Sequence, residues 1–134
     1  MKIGATKKMK RFPDSKVKML QFPVLSEDCN ISHFVTTRQG GVSEGAYASF
    51  NTGEYSGDDP EAVQTNRRLL SEAIGIPFER IFAPFQVHGT MIRPVDPVFL
   101  SLPLDEQRSY LYGVDALVTN VPDVCVAVST ADCV

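Results

Sequence analysis

Apolar and polar positions alternate along this chain with three different textures. Residues 1–18 show no packing pattern, and Met19-Leu20-Gln21-Phe22-Pro23 opens the first apolar stretch. A short strand is predicted over 19–25, closing near Pro23. Residues 31–37 are rich in β-branched and aromatic side chains and predict a second strand. Between Arg38 and Gly57 five glycines interrupt any period. That segment predicts a long irregular loop with a helical turn near Ala46–Phe50, and loops of such length are usually functional or disordered.

One helix carries a full set of boundary signals. Asp59 suits the N-cap, Pro60 the first helical position, and Glu61 the positive end of the helix dipole. Ala62, Val63, Leu69, Leu70, Ala73 and Ile74 recur at helical spacing, and Gly75 followed by Pro77 ends the pattern. Asn66 lies on the same stripe as Ala62 and Leu70. An Asn there is locally unfavourable, which points to a specific hydrogen bond. Beyond the helix, strands are predicted over Ile81–Val87, 91–98 (an edge strand, because of Pro94 and Pro97), Val114–Thr119 and Val124–Thr130. Residues 99–112 read as loop. Together these elements predict an α/β or α+β fold with a mixed sheet and covering helices.

The chain has 134 residues, 43% hydrophobic and 22% charged, as in an ordinary globular domain. No apolar run approaches the roughly 18–20 residues of a membrane-spanning helix. Net charge is −3, yet seven of the 13 Lys and Arg residues lie in residues 1–18 beside a single acid, Asp14. The head is expected to be a basic flexible tail, and Met19 is an alternative start. The remainder is acidic, so nucleic acid is not an expected partner. No apolar segment follows the basic head as a secretory signal requires, and three cysteines make no disulfide framework. A reducing cytoplasm is the expected setting. The last predicted strand runs straight into Asp132, Cys133 and Val134. Residues 19–134 are therefore expected to be the N-terminal part of a single domain whose C-terminal part is missing.

Polar residues in apolar surroundings are few: His33, Arg38, Gln86, His88, Asp115, Asp132 and Cys133. His88 and Cys133 close predicted strands and pair an imidazole with a thiolate, donors that zinc favours. The same two residues fit a Cys–His nucleophile pair, and spacing does not separate the readings. His33 reads as a satisfied strand histidine, and Cys29 and Cys125 as inert thiols. Gly40-Gly41 beside Arg38 reads as an anion-binding nest or as a plain turn.

Six elements then resemble one family in the same order. They are Thr37-Arg38-Gln39-Gly40-Gly41-Val42-Ser43, Phe50-Asn51-Thr52-Gly53, Gly57-Asp58 through Val63 to Asn66-Arg67, Gln86-Val87-His88-Gly89, Gly113-Val114-Asp115-Ala116-Leu117-Val118-Thr119, and Thr130-Ala131-Asp132-Cys133. The chain resembles the purine nucleoside phosphorylases related to YfiH and YlmD, also labelled laccase-domain or multicopper polyphenol oxidase proteins. The resemblance implies a zinc enzyme for phosphorolysis of adenosine, inosine and methylthioadenosine and for adenosine deamination, with purine nucleoside and phosphate as its partners. It implies His88 and Cys133 as zinc ligands; the family's second His lies in an H-A-G-W-R-G motif that this sequence does not contain. By motif position, Arg38 and Asp132 are expected to be catalytic, with Arg38 an anion contact. Asn51 and Gln86 are expected to bind substrate. The rival expectations are a cysteine hydrolase built on Cys133 and His88, and a non-catalytic fragment. A multicopper centre is not expected from one His and one Cys.

Overall fold

The computed structural model describes residues 10–11 and 15–130. The chain divides into two compact units, Met1–Ala73 and Ile74–Val134. The expected mixture of helices and strands is present, and among the described residues the strands form three small sheets. Among the described residues no helix is long and apolar enough to cross a membrane.

In the first unit β1 (Lys10–Arg11), β2 (Met19–Gln21) and β3 (Val35–Thr36) form an antiparallel sheet in chain order. Lys10 faces Gln21, and Leu20 faces both Arg11 and Val35. Ordered packing thus begins upstream of position 19, inside the expected tail: Val17 is 2% exposed and Met19 1%. The strands are shorter than their sequence patterns because side chains take over the backbone groups. The His33 ring accepts the Phe22 N–H at Nε2 (2.7 Å), and Gln21 Nε2 donates to the His33 carbonyl (3.1 Å). The Phe22 carbonyl then accepts from Leu25 and Ser26 and starts a 3-10 turn, Leu25–Glu27.

The loop from 38 to 57 contains the expected helical turn, a 3-10 turn at Gly45–Tyr47. It is otherwise organised by side chains. Asn66, fully buried on helix α1 (Pro60–Ile74), reaches into it. Its Oδ1 accepts the Val42 N–H at 2.8 Å. Its Nδ2 hydrogens are shared among Ser43 Oγ (2.9 Å), the Ser49 carbonyl (3.2 Å) and the Asn51 carbonyl (2.8 Å). Gly41 is a steric necessity here, since a Cβ would collide with Ser49 O, Asn66 Oδ1 and the Phe50 backbone. The buried Ser43 hydroxyl donates to Asp58 Oδ2 at 2.6 Å, and Asn51 Nδ2 donates to the same oxygen at 3.1 Å. The Ser43 hydrogen bond holds the Asp58 carboxyl below its ordinary value, against a smaller opposing effect of burial. Asp59 caps α1 as expected, its carboxylate accepting the N–H groups of Glu61 and Ala62. Gly75 ends the helix at φ 71°.

The second unit is built on parallel pairs. β4 (Ile81–Phe82) pairs with β7 (Cys125–Val126), and β5 (Ile92–Pro94) pairs with β6 (Ala116–Val118). Pro84 lacks an N–H, and after it the segment expected as one strand to Val87 keeps only an isolated bridge, Phe85 to Tyr112. The expectation of a loop over 99–112 is overturned. Two helices lie there, α2 (Pro97–Leu100) and α3 (Leu104–Leu111). Asp96 caps α2 by accepting the Phe99 N–H at 2.8 Å, with Pro97 at the first position, the same signal that opens α1. These helices cover a core of Phe82, Val95 and Phe99, on which Leu100, Leu102, Tyr110, Leu111 and Leu117 pack. The Phe82 and Phe99 rings meet edge to face, centroids 5.0 Å apart.

Two outcomes test the polar interior of the first unit. Asn66→Ala strands a buried N–H and buried carbonyls, so unfolding free energy should drop by about 2–4 kcal/mol. A urea midpoint unchanged from the parent would remove the amide from this central place. Asp58 has a depressed folded value, so its stabilisation is present above the ordinary value of 3.8 and is lost as pH falls through the folded value. Chemical denaturation across acidic pH should show a steeper loss of stability for the parent than for Asp58→Asn.

Candidate active site

The residues expected to act lie in both units. In the second unit, Gln86-Val87-His88-Gly89 forms a turn beyond β4. The approach to it is fixed by the Phe85 N–H to the Leu111 carbonyl and the Gly113 N–H to the Phe85 carbonyl, both 3.0 Å. The Phe85 and Tyr112 rings stack on this bridge with centroids 4.7 Å apart. Gln86 Oε1 accepts the Ser129 N–H at 2.7 Å, which ties the turn to the segment after β7. Asp115, the residue before β6, lies against the turn: Oδ1 accepts the Val87 N–H (2.9 Å) and Oδ2 the Gly89 N–H (3.0 Å).

His88 sits between these two amides at φ 60°, the left-handed region that a β-carbon disfavours. It is exposed, and among the described residues neither ring nitrogen has a hydrogen-bond partner. An imidazole in that condition is available as a metal donor. Asp132 and Cys133 lie outside the described residues. Among the described residues no three His, Cys, Asp or Glu side chains converge to hold a metal.

In the first unit Arg38 is exposed and held through its backbone and one nitrogen. Its carbonyl accepts the Ser49 and Phe50 N–H groups (2.8 and 3.0 Å) and the Ser49 hydroxyl (2.8 Å). Its Nε donates to the Ala48 carbonyl at 3.0 Å. Among the described residues the two terminal guanidinium nitrogens have no such bond, which leaves the fork that recognises phosphate available. Asn51 is committed to its own loop: Oδ1 accepts the Gly53 N–H (3.0 Å) and Nδ2 donates to Ser56 Oγ (2.7 Å) and Asp58. The Gly41 and Val42 amides go to Ser49 Oγ and Asn66 Oδ1, so Gly40-Gly41 is a tight passage of backbone and not an anion nest.

The remaining candidates have bland roles. Cys29 and Cys125 are free thiols, and burial raises the Cys125 thiol above its ordinary value. His33 uses Nε2 to hold Phe22, as a structural histidine does, while its buried Nδ1 has no hydrogen-bond partner among the described residues. Asp115 stands out in the sequence as a polar residue among apolar ones and as a member of the Gly113–Thr119 element, and neither signal tells what it binds. Its partners lie 26 and 28 positions away, and no local pattern carries that link.

The chain is similar to known proteins over most of its length. The profile of the family described as multi-copper polyphenol oxidoreductase laccase matches residues 32–134. A purine nucleoside phosphorylase of Bacteroides thetaiotaomicron is 48% identical over 117 residues, covering 87% of this chain and 43% of that protein. Adenosine deaminase RL5, from an unknown prokaryotic organism, is 36% identical over 104 residues, covering 78% of this chain and 40% of that protein. The crystal structure of YlmD from Geobacillus stearothermophilus superposes with a TM-score of 0.75 at 32% identity, covering 93% of this chain and 45% of that one. The chain thus spans less than half the length of these relatives. With six sequence elements in order and a fold shared with YlmD, the chain belongs to the family described as multi-copper polyphenol oxidoreductase laccase and is similar to proteins named purine nucleoside phosphorylase and adenosine deaminase.

Proposed function

We propose that this chain supplies part of the active site of a zinc-dependent purine nucleoside phosphorylase that also deaminates adenosine and works in the cytoplasm. The observation that carries the reading is His88, an exposed imidazole whose two nitrogens have no hydrogen-bond partner among the described residues, on a turn held by its backbone amides and the Gln86 and Asp115 side chains. Its relatives named purine nucleoside phosphorylase and adenosine deaminase support the choice of nucleosides as substrates.

The donor chemistry suits zinc. His88 offers a neutral nitrogen and Cys133 a thiolate, two of the three protein ligands a catalytic zinc takes. When bound, zinc acidifies water and polarises oxygen, the chemistry deamination needs. Copper in the sense of the family's description does not fit this chain's own residues. The chain has two histidines, and His33 already uses Nε2 on the Phe22 amide.

Arg38 presents two guanidinium nitrogens to an anion, and its backbone bonds fix where they start. It is the residue for inorganic phosphate or for the charge that develops on it. Asp132 is placed next to the Cys133 ligand by sequence, where it can accept a proton or orient the substrate. Gln86 donates through its amide nitrogen, since its oxygen is engaged by Ser129. Asn51 acts at one remove, by shaping the loop that carries Arg38.

The test is kinetic and analytical, on the protein purified from its natural source. His88→Ala should lose bound zinc by elemental analysis and lose inosine phosphorolysis by about 100-fold or more. Arg38→Ala should raise the phosphate KM by about tenfold and leave the nucleoside KM near its parent value. Full zinc content in His88→Ala would sink the ligand assignment, and an unchanged phosphate dependence would sink that of Arg38.

A further inference from the structure

Two amides converge on one carboxylate at the His88 turn. The Val87 N–H meets Asp115 Oδ1 at 2.9 Å and the Gly89 N–H meets Oδ2 at 3.0 Å. These are the residues immediately before and after His88. A residue in the left-handed conformation turns neighbouring N–H groups toward one side, which makes a concavity for an anion. Here the anion is a side chain of the same unit. The bonds are charge-assisted, stronger than bonds between neutral groups.

The geometry of Gly89 fits the same account. A Cβ at position 89 would stand 3.0 Å from Asp115 Oδ2 and contact little else, so the carboxylate occupies the space a side chain would need. Asp115 is itself well anchored. Its N–H donates to the Met91 carbonyl at 2.9 Å, its neighbour Val114 is fully buried, and β6 begins at the next residue. The carboxylate touches neither nitrogen of His88. Its whole effect on the imidazole passes through the backbone.

We infer that Asp115 is the positioning residue of this site: by binding the amides on either side of His88 it selects the left-handed turn that presents the imidazole. The inference rests on the reading of His88 as a ligand for its functional meaning, though not for its structural content. Asp115→Ala removes both acceptors, and Asp115→Asn leaves one oxygen. Loss of the clamp frees His88 to return to ordinary backbone angles, where its ring points elsewhere.

The experiment uses the full chain, isotopically labelled, with no metal added. In the parent, the Val87 and Gly89 amides should exchange slowly with solvent. The His88 Cα shift and HN–Hα coupling should report positive φ. Asp115→Ala should speed exchange at both amides by about tenfold or more and move His88 to negative φ, while Asp115→Asn should protect one amide of the two. If His88 stays at positive φ in Asp115→Ala, with amide signals of β5 and β6 unchanged, the inference is overturned. Should that variant lose the β5 and β6 signals, the Asn variant decides: two protected amides there also overturn it. Zinc titration followed on the His88 ring resonances separates the two claims. Asp115→Ala should weaken uptake by about 10–100-fold. Ring signals that ignore zinc in the parent would defeat the ligand reading alone and leave the clamp standing.

Discussion

Backbone amides must be satisfied even where a chain is too irregular to form a ladder, and this requirement governs the first unit. The loop between Arg38 and Gly57 has no strand of its own. A single buried carboxamide, Asn66, does what a neighbouring strand would do, accepting from Val42 and donating to the Ser49 and Asn51 carbonyls. It is delivered from a helix, so its position is set by α1 and not by the loop it organises. From this contact follow the closeness of Gly41, the burial of Ser43 and the bridge through Asp58 to Asn51. Arg38 inherits its place from the same arrangement, because Ser49 and Phe50 bind its carbonyl.

The second unit repeats the device with a charge. Its strands are only two or three residues long, and its parallel pairs carry few ladder bonds. Asp115, Gln86 and Arg80 make up the difference by binding backbone directly. Arg80 donates to the carbonyls of Asp123 and Pro122, 43 and 42 residues away. Long-range side-chain to backbone bonds thus hold segments that sequence separates widely. The apolar cluster around Phe82, Val95 and Phe99 supplies the burial on which those bonds rest.

The helix α1 was legible because its signals are local: a capping Asp59, Pro60 at the first position, a regular stripe and Gly75. Asn66 was legible as an anomaly on that stripe, and the hydrogen bonds it makes are the reason for its place there. Strands β2 to β7 were legible in position but not in length, since Pro84 and the His33 ring interrupt ladders that composition alone would extend; β1 was not legible, because it lies in the basic segment that shows no packing pattern. The helices α2 and α3 were not legible. They are short, Leu104-Asp105-Glu106-Gln107-Arg108-Ser109-Tyr110-Leu111 is mostly polar, and the nearby prolines drew the reading toward edge strand and loop. Among the candidate residues, His88 was visible as a residue type at a strand end, and Arg38 as a charge beside glycines. The lack of partners for the His88 ring among the described residues and the service of Asn51 to its own loop are properties of contacts, which no spacing encodes.

The turn at 86–89 separates the duties of its atoms. Everything that shapes it is main chain or belongs to Gln86 and Asp115, and the His88 ring contributes nothing to its hydrogen bonds among the described residues. A glycine at 88 would adopt the same left-handed angles without the steric conflict a β-carbon brings. As far as folding is concerned, histidine is a poor choice at this position. A chain optimised for endurance alone would place a glycine there, so folding by itself supplies no reason for an imidazole at this position.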